Sequence, residues 1–391
     1  MSIESQLHPG VTPPAVDDAL DVRAATREAL AAPHGFPPFV QALVPGDLVA
    51  IALGEGVRCA ADVVRGIVDV LEQAGSRRDS IIVVTGDQVD AERLLPQLSD
   101  LVDEGCRFVG HDPTNDQSLC FLAAVDDKPL LVNRELFDAD VVVPVGCARL
   151  ADARDYRGPY DTIFPRFADI ETIRQYAQGD ALDSPTAIAT RRRQTDQAGT
   201  QLAAPLVLQV VPGHGATVAA VVAGAPDAVE KVIADQCQSL WLQQVEQRAN
   251  LVVATLAGGP EEQTWHNVAR ALFAASRVAD EDSSAVAICT ELNEPPGEAL
   301  QELMSAGGDL ERAGQLGDHQ SPDAAASWEL YKALCRGPVF FMSKLDDETV
   351  EDLGMAPIAS ADELARLVKR SGSCVTLDEA QHNVPVLVEN K

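Results

Sequence analysis

The chain has 391 residues, 46% of them hydrophobic, and 60 acidic against 30 basic residues give a formal net charge of −30. That length is enough for two domains and a sizeable core. The negative field argues against nucleic acid and anionic membrane surfaces as partners, and no apolar run approaches the roughly 20 residues of a membrane span.

The start, MSIESQLHPGVTPPAV, lacks the basic and apolar regions of a secretion signal, so a cytoplasmic protein is expected. From there apolar, β-branched runs alternate with helical patterns. The run 48–53 (LVAIAL) precedes an amphipathic helix over 59–73 with Ala61, Val64, Ile67, Val68 and Leu71 on one face. The run 81–86 precedes a helix over 91–104; strands follow at 108–112, 130–133 and 141–146. Continuous apolar strands alternating with helices predict a parallel sheet covered on both faces. The arginine-rich stretch 189–201 (ATRRRQTDQAGTQ, counted from Ala189) reads as an exposed connection, and 205–211 with 217–224 as an antiparallel hairpin around a PGHG turn. A helix over 226–245 ends this half.

A second α/β series starts at 251–256. Helices are expected over 262–276, 298–306, 323–335, 347–354 and 361–371, with strands near 286–290, 338–343 and 374–377. The fold class is therefore α/β, with two Rossmann-like domains and a cleft between them. The domains are 1–245 and 246–372; the tail 373–391 is expected to carry a last strand, with a return to the first domain left open.

The eight cysteines are scattered without a C-x-x-C pair, as for reduced, buried thiols, and no histidines or cysteines have metal-ligand spacing. Chemistry is sought in the segments that follow strands, since ligands of open α/β sheets bind there. Gly54-Glu55-Gly56-Val57-Arg58 could cradle a phosphate at a helix start, but a glutamate sits inside the loop. An Arg in this place suits a carboxylate; a surface ion pair is the alternative. Asp87 suits the N-cap of a following helix, and Gln88 can hydrogen-bond but not exchange protons near neutral pH. His111 is either catalytic or hydrogen-bonded to a turn. Asp155, Arg157 and Asp161 form either a charged network or a solvated loop. Asn267 and Arg270, three apart, share a helix face. Trp328 is a wall of a site or an ordinary core ring.

Residues 132–173, VNRELFDADVVVPVGCARLADARDYRGPYDTIFPRFADIETI, resemble the signature region of the nickel-pincer lactate racemase family. There a strand ends in Gly, a His follows five residues later, and a Gly-Phe-Ser-Gly-Gly-x-Lys loop and a Pro-Gly come next. Here Gly146 is followed by Ala151, by Asp155-Tyr156-Arg157-Gly158-Pro159-Tyr160-Asp161, and by Pro165-Arg166. Colinear similarity extends from LHPGVTPPAV to FMSKLDDETVEDLGMAPIASADELARLV. The resemblance implies the family fold. It implies that Arg58, Asn267 and Arg270 bind substrate and that Trp328 lines its site. It also implies that Gln88 and Ala151 stand at the two acid/base histidines, Asp161 at the lysine that anchors the cofactor, and Ala177 at a metal histidine.

Two functions are thus in competition. One is a family member with a degenerate site, holding a small carboxylate or other anion in the interdomain cleft, with no cofactor and no metal. The alternative is an active isomerase on a 2-hydroxy acid or sugar acid with replaced catalytic groups. The expected partner is a small anionic ligand, with homo-oligomerisation left open.

Overall fold

The computed structural model describes residues 20–125, 128–281, 284–307 and 320–388. The LHPGVTPPAV segment lies outside them. The chain divides into two compact units: residues 20–176 with 181–240, and the chain from 241 onward with 177–180. Among the described residues no helix is long and apolar enough to cross a membrane.

Among the described residues the N-terminal unit contains eight strands: β1 (Val49–Leu53), β2 (Ile81–Thr85), β3 (Arg107–Gly110), β4 (Leu119–Val125), β5 (Lys128–Asn133), β6 (Val141–Cys147), β7 (Val207–Pro212) and β8 (Val218–Gly224). Six form one sheet in the order β3-β2-β1-β6-β7-β8. All neighbours are parallel except β7 and β8, which form the expected hairpin. Ile51 pairs with Val83 on one side and Val143 on the other, and all three are fully buried. A strand buried on both faces needs a continuous apolar run, which is what 49–53, 81–85 and 141–145 supply. β4 and β5 make a separate antiparallel ribbon. β4 went unread because it is a half-exposed strand with Phe121 open to solvent.

Three helical expectations change. The helix expected over 91–104 is two short helices, Gln88–Leu94 and Ser99–Asp103, separated by a 3-10 turn at Leu95–Gln97. Pro96 removes an N–H there and blocks a continuous helix. The stretch 189–201 is not a connection but most of a helix, Pro185–Gln201, capped by Ser184 and burying Arg191, Thr195, Ala198 and Gly199. The helix from Pro226 stops at Trp241, and Leu242–Val245 is a strand.

The C-terminal unit holds β9 (Leu242–Val245), β10 (Leu251–Thr255), β11 (Ala285–Cys289), β12 (Val339–Met342), β13 (Ala356–Pro357), β14 (Cys374–Leu377) and β15 (Val384–Leu387). Its sheet is parallel throughout, in the order β13-β12-β11-β10-β14. Alternate residues of β10 serve two cores. Val252 and Ala254 pack with Leu272 and Ala275 of the helix Trp265–Val278; Leu251 and Val253 pack with Ile358 and Leu364. β14 therefore pairs within this unit, and β15 follows onto β9.

All eight cysteines are free, but not all are buried. Cys106, Cys237 and Cys289 are, while Cys59, Cys335 and Cys374 are exposed. Burial pushes the Cys237 and Cys289 thiols up to about 12.

In the N-terminal unit the helix Val22–Ala31 crosses the helix Ala60–Gln73 at Gly66. A Cβ at Gly66 would come within 2.7 Å of the Thr26 Cβ and 2.8 Å of the Arg23 carbonyl oxygen. Thr26 is fully buried. Gly66→Ala is expected to lower the unfolding free energy by about 1–3 kcal/mol, overpacking outweighing the roughly 1 kcal/mol gained in helix propensity. Urea denaturation measures it, and a variant more stable than wild type would refute the packing argument.

Candidate functional site

The N-terminal sheet diverges at its centre. From β1 the chain runs outward to β2 and β3 on one side, while β6, β7 and β8 lie on the other. Loops leaving the C-terminal ends of β1 and β6 part there, which is where open α/β sheets bind ligands. The two strand ends approach closely. The Gly54 N–H donates to the Val145 carbonyl at 2.8 Å. A Cβ at Gly146 would lie 2.3 Å from the hydroxyl oxygen of Thr162, which is wedged between the strand ends.

Around this point the loop after β6 is filled with paired charges. Arg149 meets Asp155 at 3.2 Å, both side chains nearly out of solvent. Burial works against the Arg149 charge, yet Asp155, Cys147, Asp161 and Glu55 together hold its pKa above the ordinary value. Asp155 adopts φ +64°, a left-handed conformation that Asp tolerates better than most residues. Arg166 bonds Asp90 at 2.7 Å and lies 3.6 Å from Glu55. Its guanidinium covers Gly86, where a Cβ would come within 2.2 Å of it. Burial nevertheless raises the Asp90 pKa, outweighing Arg166.

Three further anchors hold the loop. Arg154 donates to Asp183 at 2.8 Å and to the Leu182 carbonyl at 2.9 Å. The Tyr156 hydroxyl donates to Glu230 at 3.1 Å, and Arg192 grips the same carboxylate with two bonds of 3.0 Å. Gly158, at φ +102°, makes room for Arg192. Burial opposes the Glu230 charge, but its bonds to Arg192 prevail and its pKa falls. The loop is therefore a packed, charged network rather than a solvated one. Its central cation is Arg149, not Arg157.

The sequence candidates are distributed as follows. Arg58 is buried and donates to the carbonyls of Gly213 and Thr217, pinning the β7–β8 turn. Gln88 is exposed in the first turn of its helix and bonds Glu92 at 3.1 Å, while Asp87 is the N-cap, accepting from the Asp90 N–H. Ala151 lies exposed in a turn, and Ala177 ends the helix Ile170–Ala177. His111 is buried. Its Nε2 donates to the Ala168 carbonyl at 2.7 Å, and its Nδ1 accepts from the Asn133 amide at 3.0 Å, which fixes the neutral tautomer. It serves a turn, as the non-catalytic expectation had it.

In the C-terminal unit Asn267 and Arg270 do share a helix face: Arg270 donates to the Asn267 Oδ1 at 2.6 Å, and Asn267 donates to the Glu262 carbonyl at 2.7 Å. Trp328 is half-buried against Tyr331, with the Lys332 ammonium 5.9 Å from its ring centre. One pair escaped the sequence reading. Glu262 and His382 meet at 3.1 Å with both side chains buried, and Gln381 donates to the same carboxylate at 3.2 Å. They lie on the loops after β10 and β14, where this sheet diverges. The dense polar run 378–383 (DEAQHN) after an apolar strand was the available signal.

Residues 2–188 match the family model of the lactate racemase N-terminal domain. The lactate racemase apoprotein from Thermoanaerobacterium thermosaccharolyticum superposes with a TM-score of 0.78 at 15% identity, over 94% of this chain and 93% of that one. A Thermotoga maritima protein superposes with a TM-score of 0.69 at 11% identity, over 95% and 100% of the two chains. No curated protein matches in sequence.

The nickel-pincer group implied by the resemblance needs an amine to anchor it, and imidazoles for the metal and for proton transfer. A carboxylate at Asp161, an amide at Gln88 and methyl groups at Ala151 and Ala177 do not offer these. Among the described residues no group of three or more His, Cys, Asp or Glu side chains could hold a metal ion.

Burial depresses the His111 pKa below its ordinary value. The unfolded chain therefore binds the proton more readily. The stability that neutral His111 contributes is complete above pH ~6.5 and is lost as the pH falls through the depressed folded value. His111→Phe should cost about 1–3 kcal/mol at pH 7.5, because Asn133 and the Ala168 carbonyl lose their partner. The gap between variant and wild type should narrow at pH 5. Chemical denaturation at both pH values checks this, and a gap that widens on acidification would contradict it.

Proposed function

We propose that this chain, whose residues 2–188 match the family model of the lactate racemase N-terminal domain, binds a small carboxylate on the lactate racemase fold and does not perform the family's hydride chemistry. The observation that carries the reading is the Glu55–Arg166–Asp90 bridge with the Arg149–Asp155 pair and Asp161 beside it. These groups neutralise one another where the loops of β1, β2 and β6 meet. A site built for proton and hydride transfer needs groups that change protonation near neutral pH, and this one consists of arginines and carboxylates. Arg270 with Asn267 supports binding of an anion in the C-terminal unit, whereas Arg58 is engaged with backbone carbonyls. Anion binding suits a protein of net charge −30 only where arginines concentrate locally.

A second reading, an isomerase with replaced groups, draws on the buried Glu262–His382 pair, which has the chemical make-up of an acid/base couple.

After co-expression with cofactor-making enzymes, the intact mass should equal the sequence mass, with nickel far below stoichiometric. A nucleotide-sized adduct would overturn the reading.

Conversion of D- or L-lactate to its enantiomer, followed by chiral chromatography, should remain at background. Gln88→His and Ala151→His should remain there too, since a single base supplies only ~10²–10⁴-fold and acts as one member of a unit. Turnover by the wild type that is lost in His382→Gln would favour the isomerase. Small carboxylates should raise the melting temperature by mass action.

A further inference from the structure

We propose that Arg157 is the carboxylate anchor of the N-terminal unit. The assignment rests on the carboxylate-binding reading above and gives it a contact residue. The loop after β6 carries four arginines, Arg149, Arg154, Arg157 and Arg166. Three are engaged by Asp155, by Asp183 with the Leu182 carbonyl, and by Asp90 with Glu55. The Nε of all four is buried without an acceptor, but Arg157 alone has no other hydrogen bond or ion pair among the described residues to offset that. Leaving a buried cationic N–H unmet is costly, and for Arg157 no acceptor among the described residues relieves that cost, which suits a bound one.

The geometry points to what that acceptor is. The Arg157 guanidinium carbon lies 5.7 Å from the centre of the Tyr176 ring, and the Arg191 guanidinium carbon lies 5.3 Å from the same ring. Arg191 is oriented by a 2.6 Å bond to the Gln175 carbonyl. Cation–π contact uses the face of a guanidinium and leaves its N–H edges for a planar, two-oxygen acceptor. A carboxylate fits that fork. A phosphate dianion fits it less well, because the carboxylates of Asp161 and Glu230 already put negative charge beside the neighbouring Tyr156. The loop leaves the sheet at its divergence point, where ligands of this architecture bind.

The full chain is heated with L-lactate, with acetate and with phosphate at matched ionic strength. Lactate or acetate at roughly tenfold its Kd should raise the melting temperature by about 3 °C, and phosphate should do less. Arg157→Gln should abolish the shift while leaving the apo melt within about 1 °C, since the side chain gives the fold no hydrogen bond. Arg157→Lys, which keeps the charge and loses the fork, should retain part of it. Arg77→Gln, at an exposed arginine already paired with Asp79, should leave it intact. A full shift in Arg157→Gln overturns the assignment and leaves carboxylate binding standing. No shift in the wild type overturns both, and a larger phosphate shift that needs Arg157 overturns the ligand class.

Discussion

A guanidinium taken out of water must be met by negative charge, and Arg149 imposes that requirement on the centre of the N-terminal unit. Asp155 reaches it from a left-handed backbone conformation, and Asp161 and Glu55 add their fields from the same loop and from the end of β1. A desolvated ion pair gains little net stability over apolar packing, but removing one partner is severe. The loop's path is thereby specified more than its energy is lowered. Arg154, Tyr156 and Arg166 tie the same segment to residues 182–183, to the helix Pro226–Trp241 and to the helix Gln88–Leu94. The result is a loop whose interior is occupied by its own side chains.

Much of the fold was legible because its central strands are buried on both faces. The runs 49–53, 81–85, 141–145 and 251–255 carry the signal alone. What escaped was partly exposed or polar. Leu242–Val245 reads LQQV and looks like a helix end; β4 has no apolar alternation; the helix Pro185–Gln201 hides behind three consecutive arginines, Arg191 to Arg193. The site was less legible than the fold, since its pairs are distant in sequence. Arg166 meets Asp90 across 76 residues and His382 meets Glu262 across 120. Local spacing did place Asn267 beside Arg270, because a helix brings residues three apart together. It could not show that Arg58 turns toward a hairpin 155 residues away.

Likeness to the Thermoanaerobacterium enzyme at 15% identity is a likeness of backbone. Backbone is set by buried strands and by close approaches such as those at Gly66 and Gly146, where a Cβ would come within 3 Å of its neighbours. Those demands are blind to the chemistry at the loop tips, so one scaffold can carry different groups there and keep its shape.

Besides the buried Cys106, whose thiol burial also raises, each unit contains one thiol pushed up to about 12, Cys237 in the first and Cys289 in the second. A thiolate is the form that reacts, and neither thiol can form one until its surroundings open. The three exposed cysteines should be consumed at once by an alkylating reagent. The slow phases that remain are then clocks for the opening of each unit separately. The chain thus carries its own pair of probes for asking whether a ligand tightens one half or both.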